Sequence, residues 1–282
     1  MTTTLSQPQQ STETEGFSAK LKDIRWQTEF TLISYGVCIG IRVNSSIILE
    51  RLRDFLPPGW KKSSSPVVEV LYSLIVEENY YQLYRNQEKI IEANELEKVL
   101  LSLDSDLRIQ VGILVKDWLF VHAGVVSLCN QAIVIPGRSF SGKTTLVAAL
   151  VKAGATYYSD EYAVFDSHGL VYPYPRLLSM RQKEGVKRCS VKELGGQAGT
   201  EPLPVAMVVH TQYQPGYRWN PRKMSPGQAA LSLLDNTIVA RLRPEFALPI
   251  LSSAVSEALA VEGKRGEAEV TAVEILQQIK VL

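Results

Sequence analysis

The chain has 282 residues, 45% of them hydrophobic and 21% charged, and its 30 basic and 29 acidic side chains leave a formal net charge of +1. This balance is ordinary for a globular protein of one large or two modest domains, and nucleic acid is not an implied partner, since no dense Lys/Arg run stands out except the short PGWKKSSSP turn and RQKEGVKR. The three cysteines, Cys38, Cys129 and Cys189, stand far apart with no C-x-x-C spacing, which excludes a metal or dithiol motif and reads as reduced, packing cysteines of a cytosolic protein.

In chain order, residues 1–16 (MTTTLSQPQQSTETEG) are polar and of low complexity. They lack the apolar stretch of a secretion signal and carry acids where a targeting helix carries arginine, so they read as a disordered lead-in. Residues 17–114 predict an α+β N-terminal domain. FTLISYGVCIGIRV is a strand pair or one long strand, with Gly36 and Gly40 permitting a bend or bulge. SSIILERLRDFLPP is a helix capped by Ser45 or Ser46, with Ile48, Leu49, Leu52 and Phe55 as its apolar stripe and Pro57-Pro58 as its stop. VVEVLYSLIVEEN and YYQLYRN are two more strands; ANELEKVLLSLDSDLRIQVGILVKD is one long helix or two joined ones.

Over residues 115–282 the texture changes to short apolar strands separated by glycine, the mark of an α/β core. VAMVVHTQY is a buried strand and SPGQAALSLLDNT a helix begun by Ser225-Pro226. PEFALPILSSAVSEALAV is helical at its start and end despite Pro249, and EAEVTAVEILQQI is a closing helix. No run approaches the roughly 18 apolar residues of a membrane helix, so the expected location is cytoplasmic.

The informative stretch is IPGRSFSGKTTL at 135–146, where Gly137 to Thr144 fits G-x-x-x-x-G-K-[ST]. Backbone N–H groups of such a loop point inward and cradle phosphate oxygens where a side chain on either glycine would block close approach. The context is the required one. NQAIVIP before it is a short apolar strand, and KTTLVAALVKAG after it is a helix closed by Gly154, which makes an anion site at a helix N-terminus. Lys143 neutralises terminal phosphate charge in this reading, and Thr144 ligates Mg²⁺.

Neighbouring residues narrow the class. No N-K-x-D motif appears, which argues against a GTPase. ELGGQAG at 193–199 resembles a transporter ATPase signature, but no apolar strand ending in Asp-Glu follows it, and LGGQ reads as a flexible loop. His122 stands in WLFVHAGVVS, ahead of the loop, and Asp160-Glu161 in TYYSDEYAVF, after it. Adjacent acids at the end of an apolar strand suit phosphoryl transfer, one carboxylate fixing Mg²⁺ or its water and one accepting a hydroxyl proton. His168 and His210 have no partner spacing, and the clusters NYYQLY and TYYSDEY read as packing.

On His122-Ala123-Gly124, Gly137 to Thr144 and Ser159-Asp160-Glu161, the chain resembles the catalytic domain of HPr kinase/phosphorylase, whose core is shared with ATP-dependent phosphoenolpyruvate carboxykinase. PYPRLLSMR at 173–181 and LLDNTIVARLRP at 233–244 look like stretches of further relatives, and the likeness covers roughly residues 118–245. The fold it implies is α/β, a P-loop-containing core like the HPr kinase C-terminal domain, preceded by the α+β domain. It also implies ATP and Mg²⁺ as cofactors. Gly137, Arg138, Ser139, Phe140, Ser141, Gly142, Lys143, Thr144 and Thr145 form the nucleotide loop, with Thr144, Asp160 and Glu161 on the metal side. Asp160 is then the general base, Glu161 an orienting carboxylate and His122 a polar neighbour of the acceptor, while Arg176, Arg241 and Arg243 are candidate phosphate clamps.

The chain departs from that family where the second aspartate is Glu161 and where EPLPVAMVVHTQY replaces the EIRGLG-type signature, so phosphorylase activity and HPr as substrate are not carried over. Two function classes result. One is a Mg-ATP-dependent kinase acting on a serine-type hydroxyl of a small protein, peptide or small molecule, with the N-terminal strands offering an edge to an extended peptide. The other is a catalytically silent ATP-binding regulatory module. A carboxykinase-like lyase is a third, with no oxyacid-binding residues found. Relatives are often oligomeric, so a homo-oligomer is expected; neither nucleic acid nor membrane is a partner.

Overall fold

The computed structural model describes residue 21 and residues 23–78, 80–138, 141–182 and 185–281. The predicted lead-in, and Ser139 and Phe140 of the loop, lie outside the described residues. The chain forms two compact units, Met1–Leu114 and Val115–Leu282. The fold class is mixed α/β with several sheets.

The first unit is built on a six-stranded sheet of β1 (Thr28–Ser34), β2 (Val37–Val43), β3 (Lys61–Ser63), β4 (Val70–Val76), β5 (Tyr81–Arg85) and β6 (Glu88–Ala93), in the order β3-β1-β2-β4-β5-β6. FTLISYGVCIGIRV is a hairpin turned at Tyr35-Gly36, both at positive φ (51° and 86°). Two left-handed central residues match the right-handed twist of the flanking strands, which is why a glycine stands there. SSIILERLRDFLPP is shorter than its pattern predicts: a 3₁₀ turn at Ser46–Ile48 leads into α1 (Leu49–Arg53), and Ser45 makes no side-chain capping bond. The long apolar-periodic stretch is one helix, α2 (Leu96–Leu114), and its buried Leu100, Leu103 and Leu107 belong to the hydrophobic interior. Tyr72 donates to Asp106 at 2.6 Å and Arg85 pairs with the same carboxylate at 2.8 Å, so the polar groups of the sheet reach a partner on α2.

The second unit is an eight-stranded sheet with helices on both faces. Its strands are β7 (Leu119–Leu128), β8 (Gln131–Pro136), β9 (Thr156–Ser159), β10 (Tyr162–Phe165), β11 (Val171–Tyr172), β14 (Val205–Tyr213), β15 (Arg222–Lys223) and β16 (Leu259–Arg265). The main path runs β11-β10-β7-β8-β14-β16-β15, with β9 also on β7; β8, β14 and β16 are mutually parallel at its centre. A separate hairpin joins β12 (Leu178–Gln182) to β13 (Gly185–Cys189).

Alternation along β7 decides the two faces. Val121, Ala123 and Val125 point to one side, where α4 (Pro226–Leu234) and α5 (Pro244–Val255) cover them with Ala229, Leu233, Ala247 and Leu251. Val126 points to the other side, under α3 (Lys143–Lys152) and α6 (Ala268–Ile279), with Leu146, Val147, Leu150, Ala272 and Ile275. Parallel strands buried on both faces need such near-continuous apolar runs; the strand spans VAMVVHTQY as expected, but only residues 205–209 supply the buried run, and His210, Gln212 and Tyr213 are exposed.

One expectation is corrected here. ALAVEGKR, whose first residues were expected to end a helix, is strand β16: α5 stops at Val255, and β-branched and small residues then pair beside β14. Pro249 lies inside α5, as expected, and the carbonyl it leaves without an intrahelical donor belongs to exposed Glu245, which solvent can reach. The LGGQ segment is a loop tied to β9 by backbone hydrogen bonds. Tyr157 N–H donates to Gln197 O at 2.9 Å and Gly199 N–H to Tyr157 O at 2.8 Å, while a Cβ on Gly199 would fall 2.1 Å from the Tyr158 ring.

Candidate functional site

The loop 137–142 leaves the end of β8 and enters α3, whose N-cap is Gly142 at φ +85°. Its first glycine is fixed by close contact: a Cβ on Gly137 would lie 2.8 Å from Ser141 Oγ. Gly137 N–H donates to His122 O at 3.3 Å, which ties the loop to β7. Lys143 is buried, and its Nζ donates to Gly137 O at 2.7 Å and Arg138 O at 2.9 Å, so its charge sits inside the loop on backbone carbonyls alone. Burial lowers the Lys143 pKa, against the opposing pull of Glu161 and then Asp160.

The acids reach this loop through a defect in the neighbouring strand. β9 and β10 both pair antiparallel with β7, Ser159 opposite Val125 and Tyr162 opposite His122, and Ala123 N–H still donates to Glu161 O at 3.1 Å between them. The ladder therefore keeps its register across Asp160-Glu161, which directly follow the end of β9, as expected, and lead into β10. The shift occurs earlier, where Tyr157 opposes Val126 and Ser159 opposes Val125. This bulge at Tyr158 puts Tyr157 and Asp160, three residues apart, on the same face, the one carrying α3; in a regular strand they would point to opposite faces.

The result is a closed set of contacts. Thr144 Oγ1 donates to Asp160 Oδ2 at 3.1 Å, and Tyr157 Oη lies 2.9 Å from Asp160 Oδ1 and 3.1 Å from the Arg176 carbonyl that also accepts from it. Asp160 is 5% exposed. Burial raises its pKa; the Tyr157 hydrogen bond lowers it, Glu161 raises it, and the Thr144 bond and Arg176 charge lower it, with a net shift upward. Glu161 Oε1 faces His122 Nε2 at 3.4 Å, an ion pair only when the imidazole is protonated, and the His122 ring lies 5.8 Å from that of Tyr162.

The structure thus brings together Gly137, Arg138, Ser141, Gly142, Lys143, Thr144, Asp160, Glu161, His122 and Arg176. Thr145 is exposed on the first turn of α3. Arg241 is exposed, and Arg243 donates to Val115 O at 3.0 Å and stacks on Phe246 at 4.4 Å, so neither is in a described contact with the loop. Tyr157 is the site residue that sequence reading missed. Its cluster reads as packing, and only the bulge, which periodicity cannot reveal, turns its hydroxyl to Asp160.

The donor set fits a magnesium nucleotide. Among the described residues Ser141 Oγ is buried with no hydrogen-bond partner, and Lys143 has a charge but no carboxylate at hydrogen-bond distance. No cluster of three or more His, Cys, Asp or Glu side chains that could hold a metal occurs among the described residues. One hydroxyl and one or two carboxylates are nonetheless the protein share expected for Mg²⁺, which takes its remaining ligands from phosphate and water.

No helix among the described residues is long and apolar enough to cross a membrane. No family model matches the chain, and no curated protein does. Among solved structures, the Hpr(Ser) kinase/phosphatase from Coxiella burnetii is similar over 57% of this chain and 96% of its own, at 11% sequence identity and a TM-score of 0.33.

Proposed function

We propose that the second unit is a Mg-ATP-dependent phosphotransferase with a P-loop, acting on a serine-type hydroxyl of a protein, peptide or small molecule. The observation that carries this reading is the 3.1 Å hydrogen bond from Thr144 to Asp160. It joins the last residue of a phosphate-loop sequence to a buried acid that follows β9, so that one hydroxyl and one carboxylate from separate elements would stand together beside a bound phosphate.

Backbone N–H groups of residues 137–144 and the Lys143 ammonium hold the phosphates, and Thr144 with Asp160 holds the Mg²⁺. The bound ion neutralises charge on the phosphate oxygens. Asp160 Oδ1 or Glu161 accepts the acceptor's hydroxyl proton. His122 keeps Glu161 oriented at the mouth of the site. Burial excludes water from Lys143 and Asp160, so positioning and charge supply most of the rate.

One observation favours the silent-module alternative: both Asp160 oxygens are engaged, by Thr144 and Tyr157. Transfer of γ-labelled phosphate from Mg-ATP into small proteins and peptides of a host extract decides between them. Wild type is expected to label a serine and Asp160→Asn to label at least about 100-fold less. Equal ATP binding by both with no label from either would establish the regulatory module instead.

A further inference from the structure

Arg265 ends β16 and is 2% exposed. Its Nη2 donates to Gly142 O at 2.9 Å and its Nη1 to Gly266 O at 3.0 Å, while its Nε is buried with no partner. The Tyr213 ring lies 5.3 Å from its Cζ, and the Tyr213 hydroxyl donates to Glu267 at 3.2 Å. Among the described residues no carboxylate comes within ion-pair distance. Carbonyls and a ring satisfy two of its donor groups, and Glu267 and Glu269 act on its charge only through space, so a buried guanidinium is left without a direct counter-charge, a costly arrangement that a bound anion would relieve.

Its position says where that anion arrives. The loop follows β8 at the centre of the sheet; Asp160 and Glu161 approach from β9 and β10 on one side, and Arg265 from β16 on the other. A Cβ on Gly142 would lie 2.6 Å from Nη2, so the guanidinium fills the space that the glycine leaves at the N-cap of α3. That N-terminus already carries a partial positive charge from its unpaired N–H groups.

We propose that Arg265 is the second cation of the anion site, a positioning residue that pins the Gly142 carbonyl and adds its charge to the N-terminus of α3, tuning the site for polyphosphate. The inference rests on the loop being a nucleotide loop. Its role differs from that of Lys143: the arginine acts through the N-cap from beneath, with no need to touch the ligand.

The test uses the full chain, titrated calorimetrically with Mg-ATP and with inorganic tripolyphosphate at several salt concentrations, with unliganded melting curves alongside. Arg265→Gln is expected to lose about tenfold in affinity for both ligands and to show a shallower dependence on salt, while Arg265→Lys stays within about threefold of wild type. A purely structural arginine would lower the unliganded melting midpoint and leave the salt dependence unchanged, and that result overturns the proposal. So does a Gln variant that binds within about twofold of wild type while Lys143→Met does not bind. If Arg265→Gln does not fold, Arg265→Lys decides: retained affinity supports the charge role, and a tenfold loss with an unchanged midpoint overturns it. Failure of the wild type to bind either ligand overturns the nucleotide-loop reading itself, and this proposal with it.

Discussion

Asp160 is held against its own ionisation. Burial lifts its pKa above the ordinary aspartate value of 3.8, so the folded chain keeps the proton to a higher pH than the unfolded chain does. Between those two values the unfolded state binds fewer protons, stability falls as the pH rises, and above the folded value the penalty remains at full size. Without nucleotide, Asp160→Asn is therefore expected to melt above wild type at pH 7, the advantage shrinking as the pH falls toward the aspartate range. Melting curves from pH 4 to 8 check this, and an Asn variant that melts at or below wild type throughout would sink it. Under the proposed function, the substitution expected to abolish transfer is thus also expected to stabilise the unliganded fold, a trade-off between activity and stability.

At the scale of elements, the distance between α3 and the sheet is set by an absent carbon. A Cβ on Gly124 of β7 would lie 2.5 Å from Val147 Cγ2, so helix and strand meet at a separation only glycine permits. Gly124→Ala is expected to destabilise by about 1–3 kcal/mol and to weaken nucleotide binding by moving the loop that α3 carries. Adding Val147→Ala should return most of the loss. Denaturant unfolding of the two single variants and the double variant tests the coupling, and strictly additive effects would show that the two sites do not meet. Most elements of this layer were legible beforehand, because β8, β14 and α3 each carry a long apolar pattern bounded by turn residues. β16 was not. Its alternation is brief and follows a helix without glycine or proline to mark the break, and its identity rests on pairing with β14, a tertiary fact.

For the whole molecule, the second unit has apolar clusters on both faces of its own sheet, covered by its own four helices. Residues 115–282 expressed alone are expected to unfold cooperatively and to bind Mg-ATP within about threefold of the full chain. A broad, non-cooperative melt of that fragment would count against it. Local sequence gave the loop, the lysine and the acidic pair their candidacy, since each is a short motif with a backbone reason for its residue types. It could not show that Arg241 and Arg243 lie apart from the loop, or that Tyr157 and Arg265 adjoin it. Those are matters of which strand edge and which face each residue occupies, and no spacing in the chain encodes them.

The bulge at Tyr158 has a consequence for how this segment tolerates change. Substitutions along Thr156–Phe165 alter contacts one at a time, whereas loss of a single residue between Tyr157 and Asp160 regularises the ladder and sends the tyrosine and the acid to opposite sides. Gain or loss of chain length here is therefore all-or-none for the site, even where it leaves the hydrophobic composition and the sheet itself intact. The extra residue acts as a phase-setter, and the chemistry of the site depends on a count as much as on identities.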